Sequence, residues 1–153
     1  MKQILSFAQK GIILNKSKTK ILVIKYSHSK YMPGKVASKL GLPGGKVEFK
    51  DEPDDAFTRE VKEETGVTIK PGPPIYLWTW VYQKEKEEKQ IVALARLGYF
   101  IQGKPTPSHN EKETTIESVF WLPLNSLDTK AFIWDEEPAL INFLEYRKKN
   151  PFT

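Results

Sequence analysis

The chain has 153 residues, enough for one domain spanning 1–153 with a sizeable core, and its 39% hydrophobic and 28% charged content is that of a water-soluble globular protein. No apolar run approaches a membrane span, MKQILSFAQKGIILN lacks the apolar stretch and cleavage site of a secretory signal, and the absence of cysteine excludes disulfides, iron–sulfur clusters and thiolate zinc sites, which together point to the cytoplasm. A net charge of +5 and a pI near 9.2 suit an anionic partner such as a nucleotide, or a surface simply rich in lysine; without a dense basic block, a nucleic-acid partner is not indicated.

ILSFAQKGIILN and KILVIKYS read as two strands joined by the polar turn NKSKT. Residues 27–39, with Met32-Pro33-Gly34, read as a loop, and LGLPGGKVEF as a short extended piece broken by a Gly-Gly turn. DEPDDAFTREVKEETG reads as a helix: Pro53 suits its first turn, Asp54 and Asp55 its positive end, and Ala56, Phe57 and Val61 its buried side. Residues 68–70 are extended, and PGPP is expected to end that strand. IYLWTWVYQ and IVALARLGYFIQ read as long strands, with KEKEEK as the solvated tip between them. GKPTPSHN is a loop and IESVFWLPL a strand. Residues 135–149 form a last helix with acids first, bases last, and Leu140, Ile141, Phe143 and Leu144 for the core. The expected fold class is α/β (α+β), a mixed sheet sandwiched between helices. The four tryptophans are expected to serve mainly as core. Trp78, Trp80 and Tyr82 share one strand face by period-two alternation, and His28 and His109 read as loop residues.

The segment REVKEETG, residues 59–66, carries the chemistry. Glu60, Glu63 and Glu64 fall within one arc of roughly 100° on a helix, and like charges at such spacing destabilise it. Gly66 suits the left-handed position after a helix end, which puts Glu63 and Glu64 in the last turn, where the helix dipole disfavours negative charge. Something outside the helix should compensate, and a bound cation is the obvious candidate. Glutamate oxygens suit Mg²⁺ or Mn²⁺, and magnesium typically binds through a few carboxylates together with substrate phosphates. The chemistry suggested is attack of water on phosphorus, with a carboxylate taking the proton.

The stretch 45–67 resembles the Nudix box, the signature of the Nudix hydrolases. Gly45, Arg59, Glu60, Val61, Glu63, Glu64, Gly66 and Val67 fall on its fixed places, and Asp51 stands where the usual residue is glutamate. The resemblance implies a metal-dependent hydrolase of nucleoside diphosphates linked to another group. It implies that Glu60, Glu63, Glu64 and the Gly44 carbonyl hold Mg²⁺, with Mn²⁺ as the alternative, and that Arg59 steadies the acids. The base is implied to be Glu60 or Glu63 within the box, or Glu113 among Glu111, Glu113 and Glu117 outside it. Lys46 and Tyr82 are the expected substrate contacts, and a homodimer is one assembly the family uses. Nucleoside triphosphates or modified nucleotides rank first as substrates, dinucleoside polyphosphates second, ADP-ribose or nucleotide sugars third. Two other readings stay beside this one: a non-catalytic nucleotide- or RNA-binding regulator on the same fold, which typically loses box acids that this chain keeps, and an isoprenoid diphosphate isomerase, disfavoured because that branch needs a cysteine.

Overall fold

The computed structural model describes residues 1–29, 39–108, 114–133 and 135–151. Its elements in chain order are β1 (Lys2–Leu14), β2 (Lys20–Ser29), β3 (Leu40–Gly41), β4 (Gly44–Val47), α1 (Pro53–Thr65), β5 (Thr68–Lys84), β6 (Glu87–Gln102), β7 (Thr114–Pro123) and α2 (Glu137–Lys149), with two short 3₁₀ turns between β7 and α2. The strands form one mixed sheet in the order β3-β2-β1-β6-β5, with β4 against β1 and β7 against β2. β1 and β6 run parallel, while the other pairings are antiparallel.

Helices cover both faces of the sheet, so its central strands are apolar on both sides. Ile12, Leu14, Ile21 and Val23 pack with Ala139, Leu140 and Phe143 of α2, whereas Ile13, Leu22 and Ile24 pack with Phe57 and Val61 of α1. This is the expected sandwich. Ile141, assigned to the core from its sequence, is instead 47% exposed, because the buried stripe of α2 runs through Ala139, Leu140 and Phe143.

The N-terminal end of α1 is pinned by polar contacts. Gln9 Nε2 donates to the Pro53 carbonyl at 2.8 Å, and Gln9 Oε1 accepts from Arg96 Nη1 at 3.0 Å. Arg96 also pairs with Asp54 at 2.7 Å and lies over the Phe57 ring. The helix closes at Gly66, whose φ of 75° is left-handed and whose N–H donates to Lys62 O.

PGPP does not end a strand. β5 passes straight through it, with register shifts at Pro71/Pro74 and Pro74/Tyr76. β5 lies at the edge of the sheet, where proline's missing N–H leaves no ladder bond broken, and bulges absorb the rest. Arg96 fastens the bulge by donating through Nε and Nη2 to the Gly72 carbonyl at 3.1 and 2.7 Å. The Gly-Gly pair is likewise no turn: Gly44 and Gly45 are the first residues of β4, and the chain breaks at Leu42-Pro43. The hairpin tip narrows to Glu85-Lys86, as the rest of KEKEEK continues the strands. Residues 27–29 extend β2, and most of the loop expected after them lies outside the described residues.

Candidate active site

β4 and α1 meet over the two glycines. Antiparallel pairing with β1 sets Gly44 opposite Lys10, Gly45 opposite Gln9 and Lys46 opposite Ala8. Glu64 Oε1 accepts from the Gly44 N–H at 2.8 Å. Glu60 lies directly against Gly45, where an added Cβ would stand 2.7 Å from its carboxylate. At Gly44 a Cβ would fall 2.0 Å from the Gln9 carbonyl oxygen. Position 44 therefore requires glycine for the close approach of backbone, and glycine at 45 lets the Glu60 side chain come in where it does. Glu63 is exposed, while Glu60 and Glu64 are half-buried.

Asp51 closes the loop between β4 and α1. Its Oδ2 accepts from Arg59 Nη2 at 3.0 Å and from the Glu48 N–H at 3.1 Å, and these bonds, Arg59's first, lower its pKa. The shorter side chain thus still reaches the arginine. Arg59's pKa is raised chiefly by Asp51, with smaller contributions from Glu60 and Glu63.

Beside Gly44 lies a buried charged cluster that the sequence reading missed. Lys10 Nζ stands 3.6 Å from Glu136 Oε1, and Glu136 accepts the Leu42 N–H through both oxygens, at 2.9 and 3.2 Å. Burial pushes Glu136 up to about 7 against the pull of Lys10, and burial also raises Asp135. Burial opposes the Lys10 charge, but Glu136, Tyr26, Asp135 and Glu64 together lift its pKa above the usual lysine range. The available signal was Lys10 itself, a charge set between buried neighbours in a strand.

The remaining expected residues are spread out. Lys46 is exposed on β4, in the register row Lys46–Ala8–Ala93–Trp78. Tyr82 belongs to the row of Ile4 and Lys89, four residues further along β1, roughly 13 Å at about 3.3 Å per residue. Tyr76, Trp78 and Trp80 stack at 5.8 and 6.1 Å, and Trp78, Trp80 and Tyr82 pack along Ala8, Ile91 and Ala93. The aromatic wall is therefore nearest the glycines at Tyr76 and Trp78. Glu113, like Glu111, lies outside the described residues.

As donors, Glu60 and Glu64 offer hard oxygen beside a glycine backbone, the chemistry that Mg²⁺ or Mn²⁺ accepts. Among the described residues no three His, Asp or Glu side chains form a ready-made cage. That is compatible with magnesium, which keeps waters and takes few protein ligands.

A strand carrying Gly-Gly, a loop tied by an acid–arginine pair and a helix presenting three carboxylates define a class of phosphoanhydride hydrolase. The NUDIX domain model matches residues 8–143, and the chain belongs to the Nudix family of pyrophosphohydrolases. It is 31% identical over 90 residues to the 8-oxo-dGTP diphosphatase of Escherichia coli strain K12, a match covering 51% of this chain and 66% of that protein, just under two thirds of its length. It is similar in fold to the MutT NUDIX hydrolase of Burkholderia pseudomallei, with a TM-score of 0.62, 23% identity, and 81% and 87% of the two chains covered. It is also similar to a NUDIX hydrolase of Nitrosomonas europaea, with a TM-score of 0.70, 15% identity, and 97% and 75% covered. Among the described residues no helix is long and apolar enough to cross a membrane.

Proposed function

We propose that this protein hydrolyses a diphosphate linkage in a nucleoside diphosphate derivative, with nucleoside triphosphates or modified nucleotides as the first substrate class. The observation that carries this reading is the docking of two carboxylates onto Gly44-Gly45: Glu64 accepts the Gly44 N–H at 2.8 Å, and Glu60 lies where a side chain at 45 would displace it. Similarity to a diphosphatase of an oxidised nucleoside triphosphate favours the same substrate class.

In this reading Glu60, Glu64 and the Gly44 carbonyl hold the cation, with Glu63 completing the set from the solvent side. Bound Mg²⁺ or Mn²⁺ supplies charge neutralisation for the phosphates and acidifies water. Glu60 or Glu63 takes the proton as water attacks phosphorus. The Asp51–Arg59 pair holds the loop and helix in register for that step. Lys46, exposed beside Gly45, binds a phosphate oxygen. Trp78 and Trp80, which pack over Ala8 and Ala93, offer the aromatic surface on which the nucleobase stacks, with Tyr82 at the far end of the wall.

The test is a hydrolysis panel of nucleoside triphosphates, oxidised nucleotides, dinucleoside polyphosphates, ADP-ribose and nucleotide sugars, each with Mg²⁺ and with chelator. Turnover of the triphosphate class that requires metal, and that drops by about 10²–10⁴ in Glu60→Gln and Glu64→Gln, is expected. Wild-type rates in both variants would remove the assignment. Tight nucleotide binding without turnover would favour the regulator.

A further inference from the structure

The backbone that enters the site is held from three directions. Phe132 bridges Leu40 in parallel register, and the Ile133 N–H donates to the Leu40 carbonyl at 2.9 Å. Glu136, the residue before α2, accepts the Leu42 N–H through both oxygens, at 2.9 and 3.2 Å. The Pro43 carbonyl accepts from the Gly11 N–H of β1 at 2.7 Å, and the Gly44 N–H donates to Glu64 of α1 at 2.8 Å. Leu42 and Pro43 belong to neither β3 nor β4. Their placement therefore depends on these few bonds.

Pro43 has no N–H to donate, which makes the Leu42 N–H the last backbone donor before Gly44. Pro43 also fixes its own φ and confines Leu42 to extended backbone. The stretch from Leu42 to Gly44 thus moves nearly as one piece, and a displacement at Leu42 is passed on to the Gly44 carbonyl. The acceptor on Leu42 is a fully buried glutamate, held in turn by Lys10 Nζ at 3.6 Å, and Lys10 is the β1 residue opposite Gly44. A buried carboxylate is a costly acceptor for a single N–H, but its charge-assisted bond is roughly twice as strong as a neutral one. The fold places a buried ion pair behind this one backbone group.

We infer that Glu136 is a positioning residue for the cation: by holding Leu42 it sets where the Gly44 carbonyl stands relative to Glu60 and Glu64. The inference rests on the proposed reading in which that carbonyl and those acids hold Mg²⁺ or Mn²⁺. Glu136 acts through Leu42, as residues that orient metal ligands from behind do, and loss of such a residue weakens metal binding by about 10–100-fold. It also links α2, which carries none of the box acids, to the geometry of the site.

The test is Mn²⁺ binding to the full chain without nucleotide, followed by the electron paramagnetic resonance of the free ion. Two double variants remove the ion pair and differ in the Leu42 bond: Lys10→Met with Glu136→Gln keeps an acceptor, and Lys10→Met with Glu136→Met does not. The first is expected to bind Mn²⁺ within about threefold of wild type, and the second at least about tenfold more weakly while its circular dichroism is unchanged. Glu136→Asp keeps a charge for Lys10 but, one methylene shorter, draws back from Leu42. It should weaken Mn²⁺ in the same direction, and it decides the matter where the Met form does not fold. A residue needed only for stability would lower the urea midpoint and leave the Kd of the folded chain at its wild-type value; that result overturns the proposal. A Gln form as weak as the Met form overturns it too. Glu64→Gln separates this inference from the reading beneath it. Binding lost there but kept in the Met form and in Glu136→Asp removes Glu136 and leaves the acids in place, whereas a wild type that binds no Mn²⁺ removes both.

Discussion

Lys10 Nζ and Glu136 Oε1 lie 3.6 Å apart, with the lysine side chain 18% exposed and the glutamate fully buried. The pair ties the middle of β1 to the residue before α2, and through the Leu42 N–H it also holds the segment leading into Gly44. Breaking a buried pair by halves costs far more than replacing both members, because one charge is left without a partner. Glu136→Ala is therefore expected to lose about 3–5 kcal/mol in urea denaturation at pH 8. Lys10→Met combined with Glu136→Gln keeps an acceptor for Leu42 and removes both charges of the pair, leaving only Asp135, whose carboxyl burial already favours in its neutral form; it should cost less than Glu136→Ala. If the double variant were as unstable as the single, the Lys10 charge would not be the cause.

The same carboxyl sets a pH dependence. Glu136 has a folded pKa of about 7 against an ordinary 4.5. Between these values the folded state keeps a proton that the unfolded state has released, so stability falls as pH rises through that window. The fall is at most about 3 kcal/mol. Thermal melts of wild type and Glu136→Gln from pH 4 to 8 check it. The difference between the two curves should decline from pH 4.5 to 7 and be level outside, since glutamine does not titrate. A flat difference would place Glu136 at its ordinary value.

The two glycines of β4 should separate stability from activity. In Gly45→Ala the new methyl meets the Glu60 carboxylate, the mobile end of a side chain that can swing aside. Stability should change by less than about 1 kcal/mol while kcat falls at least about tenfold, because Glu60 leaves its place. In Gly44→Ala the methyl meets the Gln9 carbonyl at 2.0 Å, and backbone cannot yield as a side chain does. Here a stability loss of about 1–3 kcal/mol or more is expected. Urea titrations and steady-state kinetics on the two variants decide the matter; a Gly45→Ala enzyme with wild-type kcat would detach Glu60 from the chemistry.

These cases also show what could be read from the chain. Helix α1 was legible because its signals are local: Pro53 at the start, Gly66 at the end, and buried residues on one side. The box acids were legible for the same reason, as fixed spacing on one helix. PGPP was misread because edge position is a tertiary property, and only the sheet order shows that β5 has no outer neighbour among the described residues. Asp135 and Glu136 read as acids at a helix start, and their burial depends on Lys10, remote in sequence and adjacent only once β1 and α2 have packed. Trp78 and Tyr82 were placed correctly on one face, but their relation to Lys46 comes from the β1–β6 register, which no local pattern encodes.

Trp78 Nε1 is buried without a hydrogen-bond partner among the described residues, between the rings of Tyr76 and Trp80. A buried donor left unmet carries a desolvation penalty of about 1–3 kcal/mol. Trp78→Phe removes the donor and keeps an aromatic ring in the stack, at the cost of some packing volume. The gain and the loss are of similar size, so stability is expected to stay within about 1 kcal/mol of wild type, where deleting a well-satisfied buried tryptophan would cost more. Trp78→Ala, which loses the ring as well, should cost about 3–5 kcal/mol. Thermal and urea unfolding of the two variants provide the comparison. If Trp78→Phe proved as damaging as Trp78→Ala, the indole N–H would be making a bond that stabilises the fold.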